Sequence, residues 1–312
     1  MRAARPATIA LLALSLLASA CGSDDGSDEA AQRPAAKATL TQLWRAPGED
    51  VGIIPGTFDH RPGLVRFSFL VVRNNGQPVF QPRARLWVAE DRKEPPFARA
   101  SARLEPVGVP GGYEDDHGVT HLYVAHVRLD RPGKYWVLAE PVGGRRIQAL
   151  GNLEVSEGSE APDVGSKAFP SRTPTLENEG GNVEALTTRD PPDLELLRHS
   201  VADSIAARKP FVLTFATPKF CTSRTCGPVV DVVDTVRKRF AGTEVRFIHV
   251  EVYEGNNPAL GPNRWFREWR LTHEPWTFLV GRDGRIKERF AGSFSVAELT
   301  AAVRRHLAPR SS

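Results

Sequence analysis

Two cysteines lie five positions apart in the stretch FATPKFCTSRTCGPVV, and their type and spacing suggest chemistry more directly than any other residues do. Cys221 and Cys226 are two of only three cysteines among 312 residues. Neighbouring thiols form a structural disulfide, exchange disulfides with a partner, or bind a soft metal ion. Which of these to expect depends on the compartment in which the thiols lie, because disulfides persist mainly outside the cytoplasm.

The N-terminus predicts export from the cytoplasm. Arg2 and Arg5 precede an uncharged apolar run, and small residues stand directly before Cys21, which is the pattern of a secretory signal. Residues 1–20 resemble the signal of bacterial lipoproteins. This resemblance implies that Cys21 carries a lipid and that the protein is anchored to the outer face of the bacterial cytoplasmic membrane. Leu17 stands four residues before the cysteine, whereas that family prefers leucine three residues before it, so plain secretion remains an alternative.

Composition supports a folded, exported chain and excludes one class of partner. If Cys21 carries lipid, Cys221 and Cys226 remain as a pair in an oxidising compartment, where a lone thiol is a liability. Hydrophobic residues make up 41% of the chain, which is enough for buried cores, and the length suggests about two domains. Removing the two arginines of residues 1–20 lowers the net charge from +4 to +2, which is too weak to favour nucleic acid.

Changes in composition divide the first half of the chain. Residues 21–38 are small and polar, which is typical of a flexible tether. Residues 39–157 hold short β-branched and aromatic runs between turn residues, and they predict an all-β immunoglobulin-like sandwich domain. Within them, LDRPGKYWV resembles a corner of immunoglobulin-like domains, in which Tyr135 would tie a loop to a strand edge. Residues 158–190 are rich in Ser, Pro, Glu and Gly and predict a linker or extended arm.

Residues 191–312 alternate between strand and helix periods and predict an α/β domain, a central mixed sheet with helices on both faces. The predicted strands are FVLTFA, VRFIHVEV and a hairpin in which Asp283 and Gly284 separate WTFLV from RIKERFAG. The predicted helices lie in PDLELLRHSVADSIAARKP, PVVDVVDTVRKRF, NRWFREW and SVAELTAAVRRHL. Ser295 and Glu298 have capping-box spacing at the start of the last helix.

This order of elements resembles the thioredoxin fold, in which an aromatic–cysteine pair follows a strand and a proline opens the hairpin. Phe220 and Cys221 match the pair, and Pro275 in THEPWTFLV matches the proline, which is cis in that family. The resemblance implies a catalytic site of Cys221, Cys226 and Pro275 for thiol–disulfide exchange with exported proteins, without a cofactor. The spacing is Cys-x4-Cys instead of Cys-x2-Cys, and Thr214 stands near the place of a carboxylate that often manages the thiol proton.

The sequence leaves open which thiol is the nucleophile. Pro228 is tolerated in the first turn of a helix and costs about 3 kcal/mol inside one, so the helix is expected to begin near Cys226 or Gly227. The positive end of the helix dipole would then favour a thiolate at Cys226. Matching Phe220 and Cys221 to the family's aromatic–cysteine pair makes Cys221 the exposed nucleophile instead.

Two other interpretations of the cysteine pair remain. His273, two residues before Pro275, resembles the ligand histidine of the Sco copper-chaperone family, which implies Cu(I) bound by Cys221, Cys226 and His273. Two thiolates and an imidazole suit that soft ion. The third interpretation is a non-catalytic binding module in which Cys221 and Cys226 form a structural disulfide. Whether the protein is an enzyme, a thiol–disulfide oxidoreductase, therefore stays open.

Three further features carry polar side chains. Asp115, Asp116 and His117 are explained more simply as a polar loop than as a cation site, because divalent ions need several converging ligands. His249, within VRFIHVEV, is predicted to be a sheet residue. Glu274, beside the predicted cis-proline, either contacts a partner or tunes a thiol, or is a solvated loop carboxylate.

Overall fold

The structure, a computed structural model, describes five segments of the chain: residues 37–46, 49–110, 119–142, 147–220 and 228–308. Several residues singled out in the sequence lie outside them: the predicted signal 1–20, Cys21, Asp115, Asp116, His117, Cys221 and Cys226. Among the described residues no helix is both long and apolar enough to cross a membrane.

Seven strands form the larger of the two sheets among the described residues: β1 (Glu49–Pro55), β2 (Gly63–Arg73), β3 (Arg83–Ala89), β4 (Ala98–Pro106), β5 (His121–Leu129), β6 (Gly133–Val142) and β7 (Ile147–Val155). They close into a barrel in the order β1-β2-β5-β4-β3-β6-β7. β1 closes it, because it pairs with β2 in antiparallel and with β7 in parallel orientation. A short helix, α1 (Leu40–Trp44), packs Leu40 against the outside of β3 and β6.

Aromatic side chains fill the barrel interior. Phe67 and Phe69 on β2 and Tyr123 on β5 stack in series, with ring centroids 5.1 and 5.3 Å apart. All three are almost completely buried, which is the main favourable contribution to folding. Tyr135 has the structural role that the sequence suggested, because its hydroxyl donates a hydrogen bond of 2.7 Å to the carbonyl of Arg131.

The predicted immunoglobulin-like sandwich is wrong. A sandwich consists of two separate sheets that pack face to face, whereas here every strand has two neighbours in one closed sheet. β1 carries no clear strand pattern, because its segment EDVGIIP ends in proline and lacks regular alternation of apolar and polar residues. Local patterns of short strands suit a sandwich and a barrel equally well, and the strand that decides between them pairs with a segment about a hundred residues away.

Four strands form a second sheet: β8 (Phe211–Phe215), β9 (Arg246–Val250), β10 (Trp276–Val280) and β11 (Ile286–Ala291). Their order is β11-β10-β8-β9, with β8 parallel to β9 and the other pairs antiparallel. The helices of this part are α2 (Val201–Ala206), α3 (Val229–Arg239), α4 (Arg264–Glu268) and α5 (Val296–His306), and a 3₁₀ helix covers Leu194–Leu197. The hairpin of β10 and β11 and the capping box of Ser295 and Glu298 form as predicted.

The two faces of this sheet are covered differently. α3 and α5 cover one face, and their buried side chains share a hydrophobic core with Leu70 and Leu122 of the barrel. The other face is covered by α2, α4 and residues 156–193, which we call the arm. Trp269 is fully buried on that face, and its indole Nε1 donates to Ser171 Oγ of the arm at 2.9 Å.

These observations overturn the predicted α/β thioredoxin-like fold. Seven of the eleven strands in the described ranges belong to the barrel, and the helices are few and short, with six residues in α2 and five in α4. The segment PDLELLRHSVADSIAARKP does not form one helix, because Ser200 caps α2 and so separates it from the 3₁₀ turn. The arm, instead of a second full layer of helices, completes the cover of the sheet.

Candidate functional site

The candidate site includes Pro275, the proline that was predicted to be cis. The peptide bond between Glu274 and Pro275 is cis, and Pro275 is buried directly before β10. Its carbonyl accepts a hydrogen bond of 2.9 Å from the backbone N–H of Gly292, at the end of β11. Because Trp276 pairs with Phe215, the last residue of β8, Glu274 lies level with the residues that follow β8.

Glu274 is a half-buried acid that contacts the chain leading to the cysteines. Its Oε2 accepts a hydrogen bond of 2.7 Å from the backbone N–H of Thr217, which stands four residues before Cys221. The pKa of Glu274 is raised to about 7: burial is the largest cause, the charge of Glu251 adds to the rise, and hydrogen bonds from Thr217 and Tyr253 oppose it. Glu274 is therefore a partly buried, hydrogen-bonded acid and not a freely solvated loop carboxylate.

Glu251 is the second carboxylate of the site. It directly follows β9 and is only 4% exposed. Its Oε1 accepts two hydrogen bonds from Thr188 of the arm, from the backbone N–H at 2.6 Å and from Oγ1 at 2.9 Å. Its Oε2 is buried without a hydrogen-bond partner among the described residues. A buried oxygen without a hydrogen-bond partner lowers the stability of the folded state, so an acid at this position is unfavourable for folding alone.

Residues of the arm hold the end of β8 from one side. Thr188 Oγ1 accepts a hydrogen bond of 3.2 Å from the backbone N–H of Lys219. His249, on β9, is a buried sheet residue as predicted, and its Nε2 lies 2.9 Å from the carbonyl oxygen of Ala216. Since a carbonyl only accepts, Nε2 carries the proton and Nδ1 is the acceptor for Thr187 Oγ1 at 3.5 Å. The backbone from residue 216 to residue 219 is thus held by polar side chains, of which His249 is buried and Thr188 partly buried.

The residues of the predicted site are only partly described. Pro275 and Glu274 lie together at the end of β8, whereas Cys221 and Cys226 lie outside the described residues. His273 is exposed, and its ring centroid lies 5.4 Å from that of Phe58, in the connection between β1 and β2. Within the segments that the structure covers, no three His, Cys, Asp or Glu residues are grouped so that they could hold a metal ion.

No known family model matches this chain, and no curated protein is detectably similar to it. The resemblances to thioredoxins and to Sco copper chaperones therefore gain no support from related sequences, and the observed fold contradicts both, because each assumed a thioredoxin fold. The predicted signal peptide, the lipoprotein assignment and the disulfide likewise have no support, because no disulfide joins described residues and Cys21 lies outside them with the other cysteines.

Sequence reasoning missed Glu251 and Thr188. A signal for Glu251 was present, because it is the last but one residue of the predicted strand VRFIHVEV beside FVLTFA, and parallel neighbouring strands end at the same edge of a sheet. Glu251 and Glu274 could therefore have been expected to lie near each other. Thr188 gave no such signal, because the polar arm looks like a linker until its distant partners are known.

Proposed function

We propose that this protein exchanges thiols and disulfides with other proteins outside the cytoplasm, through Cys221 and Cys226. The observation that carries the proposal is the contact between Glu274 and the backbone N–H of Thr217. It places an acid with a pKa of about 7 on the strand end that runs directly into the cysteine pair. The location, the partners and the roles of the two thiols stay predictions.

The proposed reaction balances as two successive exchanges. One cysteine thiolate attacks a sulfur of a substrate disulfide, a mixed disulfide forms, and the other substrate sulfur leaves as a thiolate. The second cysteine then attacks the mixed disulfide and releases the remaining substrate thiolate. Two electrons pass to the substrate, and Cys221 and Cys226 are left oxidised. In the reverse direction the oxidised pair accepts two electrons from a substrate dithiol.

Glu274 suits the proton transfers of this reaction. A thiol reacts only as its thiolate, so each exchange requires a group that accepts or returns a proton near neutral pH. General acid–base groups act best when their pKa is close to the working pH, and burial brings Glu274 to about 7. Pro275, whose peptide bond to Glu274 is cis, would present backbone to an extended substrate chain at the same edge.

Trapping of mixed disulfides tests the proposal. Cys221→Ser and Cys226→Ser, each in a Cys21→Ser background, are expressed in bacteria with the full chain, and adducts are sought on non-reducing gels. The variant that retains the attacking thiol should accumulate adducts with exported proteins, because the thiol that resolves them is missing. A variant that lacks Cys221 and Cys226 is the control. Absence of adducts from both single variants would refute exchange.

The alternative is Cu(I) binding by Cys221, Cys226 and His273. The exposed position of His273, two residues before Pro275, is the observation that favours it. Titration with Cu(I) separates the two functions. Stoichiometric, tight binding that disappears in His273→Ala would favour copper, whereas binding that is unaffected by this substitution leaves exchange as the better account.

A further inference from the structure

A half-open cleft of about 240 Å³ lies where the barrel meets the second sheet. One wall consists of residues between 57 and 66, in the connection from β1 to β2 and the start of β2, and the other is the end of β11, residues 289–291. Neither Glu251, Glu274 nor Pro275 lines this cleft. A protein cavity that holds benzene measures about 150 Å³, so the cleft has room for a small organic molecule.

Three arginines line the cleft, and two of them are already bound to carboxylates. Nε and Nη2 of Arg66 both donate to Glu298 of α5. Nη2 of Arg289 donates to Asp59 at 2.6 Å. The side chains of these two arginines are only 20% and 10% exposed, so breaking either pair would leave a buried charge without its partner. Arg61 is the arginine that remains for a ligand.

Arg61 is bound more weakly. Its Nη2 lies 2.8 Å from Asp163 Oδ2 of the arm, and the two side chains are 31% and 48% exposed. Water screens an ion pair of this kind, so the pair contributes little to stability. Arg61 Nε is buried without a hydrogen-bond partner among the described residues. Because a guanidinium only donates, the group that satisfies Arg61 must be an acceptor, and a carboxylate is the acceptor that matches its planar fork.

His60, the residue before Arg61, adds polarity to this wall but no charge. The residue is 8% exposed, and its Nε2 has no hydrogen-bond partner among the described residues. Burial is the main cause that lowers the pKa of His60 to about 4, so its imidazole is neutral near neutral pH. The positive charge on offer in the cleft therefore belongs to Arg61.

Much of the remaining lining is apolar. Phe58, Pro62, Leu64, Phe290 and Ala291 contribute to it. This lining extends from Leu64, which is 59% exposed, to Phe290, which is 9% exposed. Sites for small molecules combine such apolar walls with a few polar groups that fix the orientation of the ligand. The cleft therefore suits a molecule that is apolar at one end and anionic at the other.

We propose that the cleft binds a small organic carboxylate with an apolar body, of the class of aromatic or short aliphatic acids. The carboxylate accepts hydrogen bonds from Arg61, and the apolar body lies against Phe58, Leu64 and Phe290. Arg61 Nε is covered in the structure, so the side chain turns toward the ligand on binding, as interface side chains commonly do. The ligand then replaces Asp163 as the partner of Arg61, and a water-screened ion pair is exchanged for one inside the cleft.

Titration of the full chain with benzoate tests the proposal. Benzoate should bind saturably with a dissociation constant of about 1 mM, measured by calorimetry. In ¹⁵N–¹H spectra it should shift the arginine Nε–H signal that is missing from Arg61→Gln. Benzyl alcohol has the ring without the charge, and acetate has the charge without the ring. Each should bind at least about tenfold more weakly than benzoate, because each lacks one of the two contacts.

Three variants locate the binding. Arg61→Gln should weaken benzoate binding about tenfold, because a charge-assisted contact is lost. Leu64→Ala changes an exposed residue, so the chain should still fold, and it should weaken benzoate about threefold while acetate is unaffected. Arg128→Gln is the matched control, because Arg128 also lies on the barrel and pairs with an exposed acid, Asp130, but does not line the cleft. It should bind benzoate as wild type does.

Three results would overturn the proposal. The first is a wild-type chain that shows no saturable binding of benzoate. The second is equal affinity of wild type and Arg61→Gln for benzoate, since the guanidinium would then have no part in binding. The third is acetate that binds as tightly as benzoate, since the cleft would then take any anion. The outcome is independent of the proposed thiol exchange, which uses none of the residues of the cleft.

Discussion

Replacing Glu274 by Gln should remove a pH-dependent loss of stability. The folded chain holds the Glu274 proton with a pKa of about 7, against 4.5 as its ordinary value, and burial is the main cause. Between these two values the folded state binds more protons than the unfolded state. The free energy of unfolding therefore falls as pH rises from about 4.5 to 7, and the full cost is present above pH 7.

The magnitude follows from the difference between the two values. At 1.36 kcal/mol per pH unit, the rise from 4.5 to about 7 corresponds to about 3 kcal/mol. Water still reaches part of the Glu274 side chain and screens its charge, so we expect about 2 kcal/mol. Gln keeps the oxygen that accepts from the Thr217 N–H and has nearly the same volume, so the substitution changes the ionisation and little else.

Urea unfolding at pH 5 and at pH 8 measures this effect. Glu274→Gln should be more stable than wild type by about 2 kcal/mol at pH 8, and the two proteins should nearly coincide at pH 5. Glu254→Gln is the matched control, because Glu254 is exposed nearby and should behave as wild type at both pH values. A Glu274→Gln variant that is less stable than wild type at pH 8 would refute the reasoning, because the carboxylate would then be a favourable ion in the folded state.

Three other predictions concern the barrel and its contact with the second sheet. Burial lowers the pKa of His60 to about 4, below its ordinary 6.5. The unfolded chain therefore binds the proton first, and the free energy of unfolding of wild type should fall by about 3 kcal/mol as pH falls from 6.5 to 4. In His60→Gln this free energy should fall less. Gly292→Ala should cost more than about 3 kcal/mol in urea unfolding, because its Cβ would overlap Gly56 O at φ +100°. Arg66→Gln should lower the free energy of urea unfolding by about 2 kcal/mol, because it breaks the ion pair in which the guanidinium donates two hydrogen bonds to Glu298.

Controls define the cause of each effect. Gly261 also has positive φ but open space around it, so Gly261→Ala should cost only backbone strain, about 1–3 kcal/mol. Equal losses for the two glycines would contradict the overlap argument. A double-mutant cycle with Glu298→Gln separates the ion pair with Arg66 from the cap of α5, and zero coupling would contradict the pairing. His60→Gln and wild type should diverge only below pH 6.5; parallel profiles would contradict the assignment to His60.

The parts of the fold that were predicted correctly from the sequence are those determined by residues close together in the chain. The hairpin of β10 and β11 follows from a turn at Asp283 and Gly284 between apolar runs, and the start of α5 follows from Ser295 and Glu298 three residues apart. Pro275 was predicted from a resemblance, and its cis bond is present although the fold assignment is wrong. The hairpin and the start of α5 therefore depend on neighbouring residues and not on the larger architecture.

The barrel and the arm depend on contacts between residues that are distant in the sequence, and local sequence patterns do not reveal such contacts. Barrel closure depends on the pairing of β1 with β7, which are distant in the chain. The arm is polar and looks like a linker, yet Ser171 and Thr173 are 1% exposed. Their hydroxyls can be buried because they bind partners on other elements, Trp269 for Ser171 and the backbone N–H of Val201 for Thr173. Composition reports the polarity of a segment but not the partners that satisfy it.

The barrel also supports the edge at which Pro275 lies. The backbone N–H of Ser293 donates to the carbonyl of Gly56 at 2.7 Å, and the preceding Gly292 N–H donates to the carbonyl of Pro275. One short turn after β11 thus binds the barrel on one side and the cis-proline on the other. Because closely packed contacts transmit displacement instead of absorbing it, loosening the barrel at Gly56 should move Pro275 and the attached Glu274. The barrel is therefore part of the support of the candidate site, in addition to being a neighbouring unit.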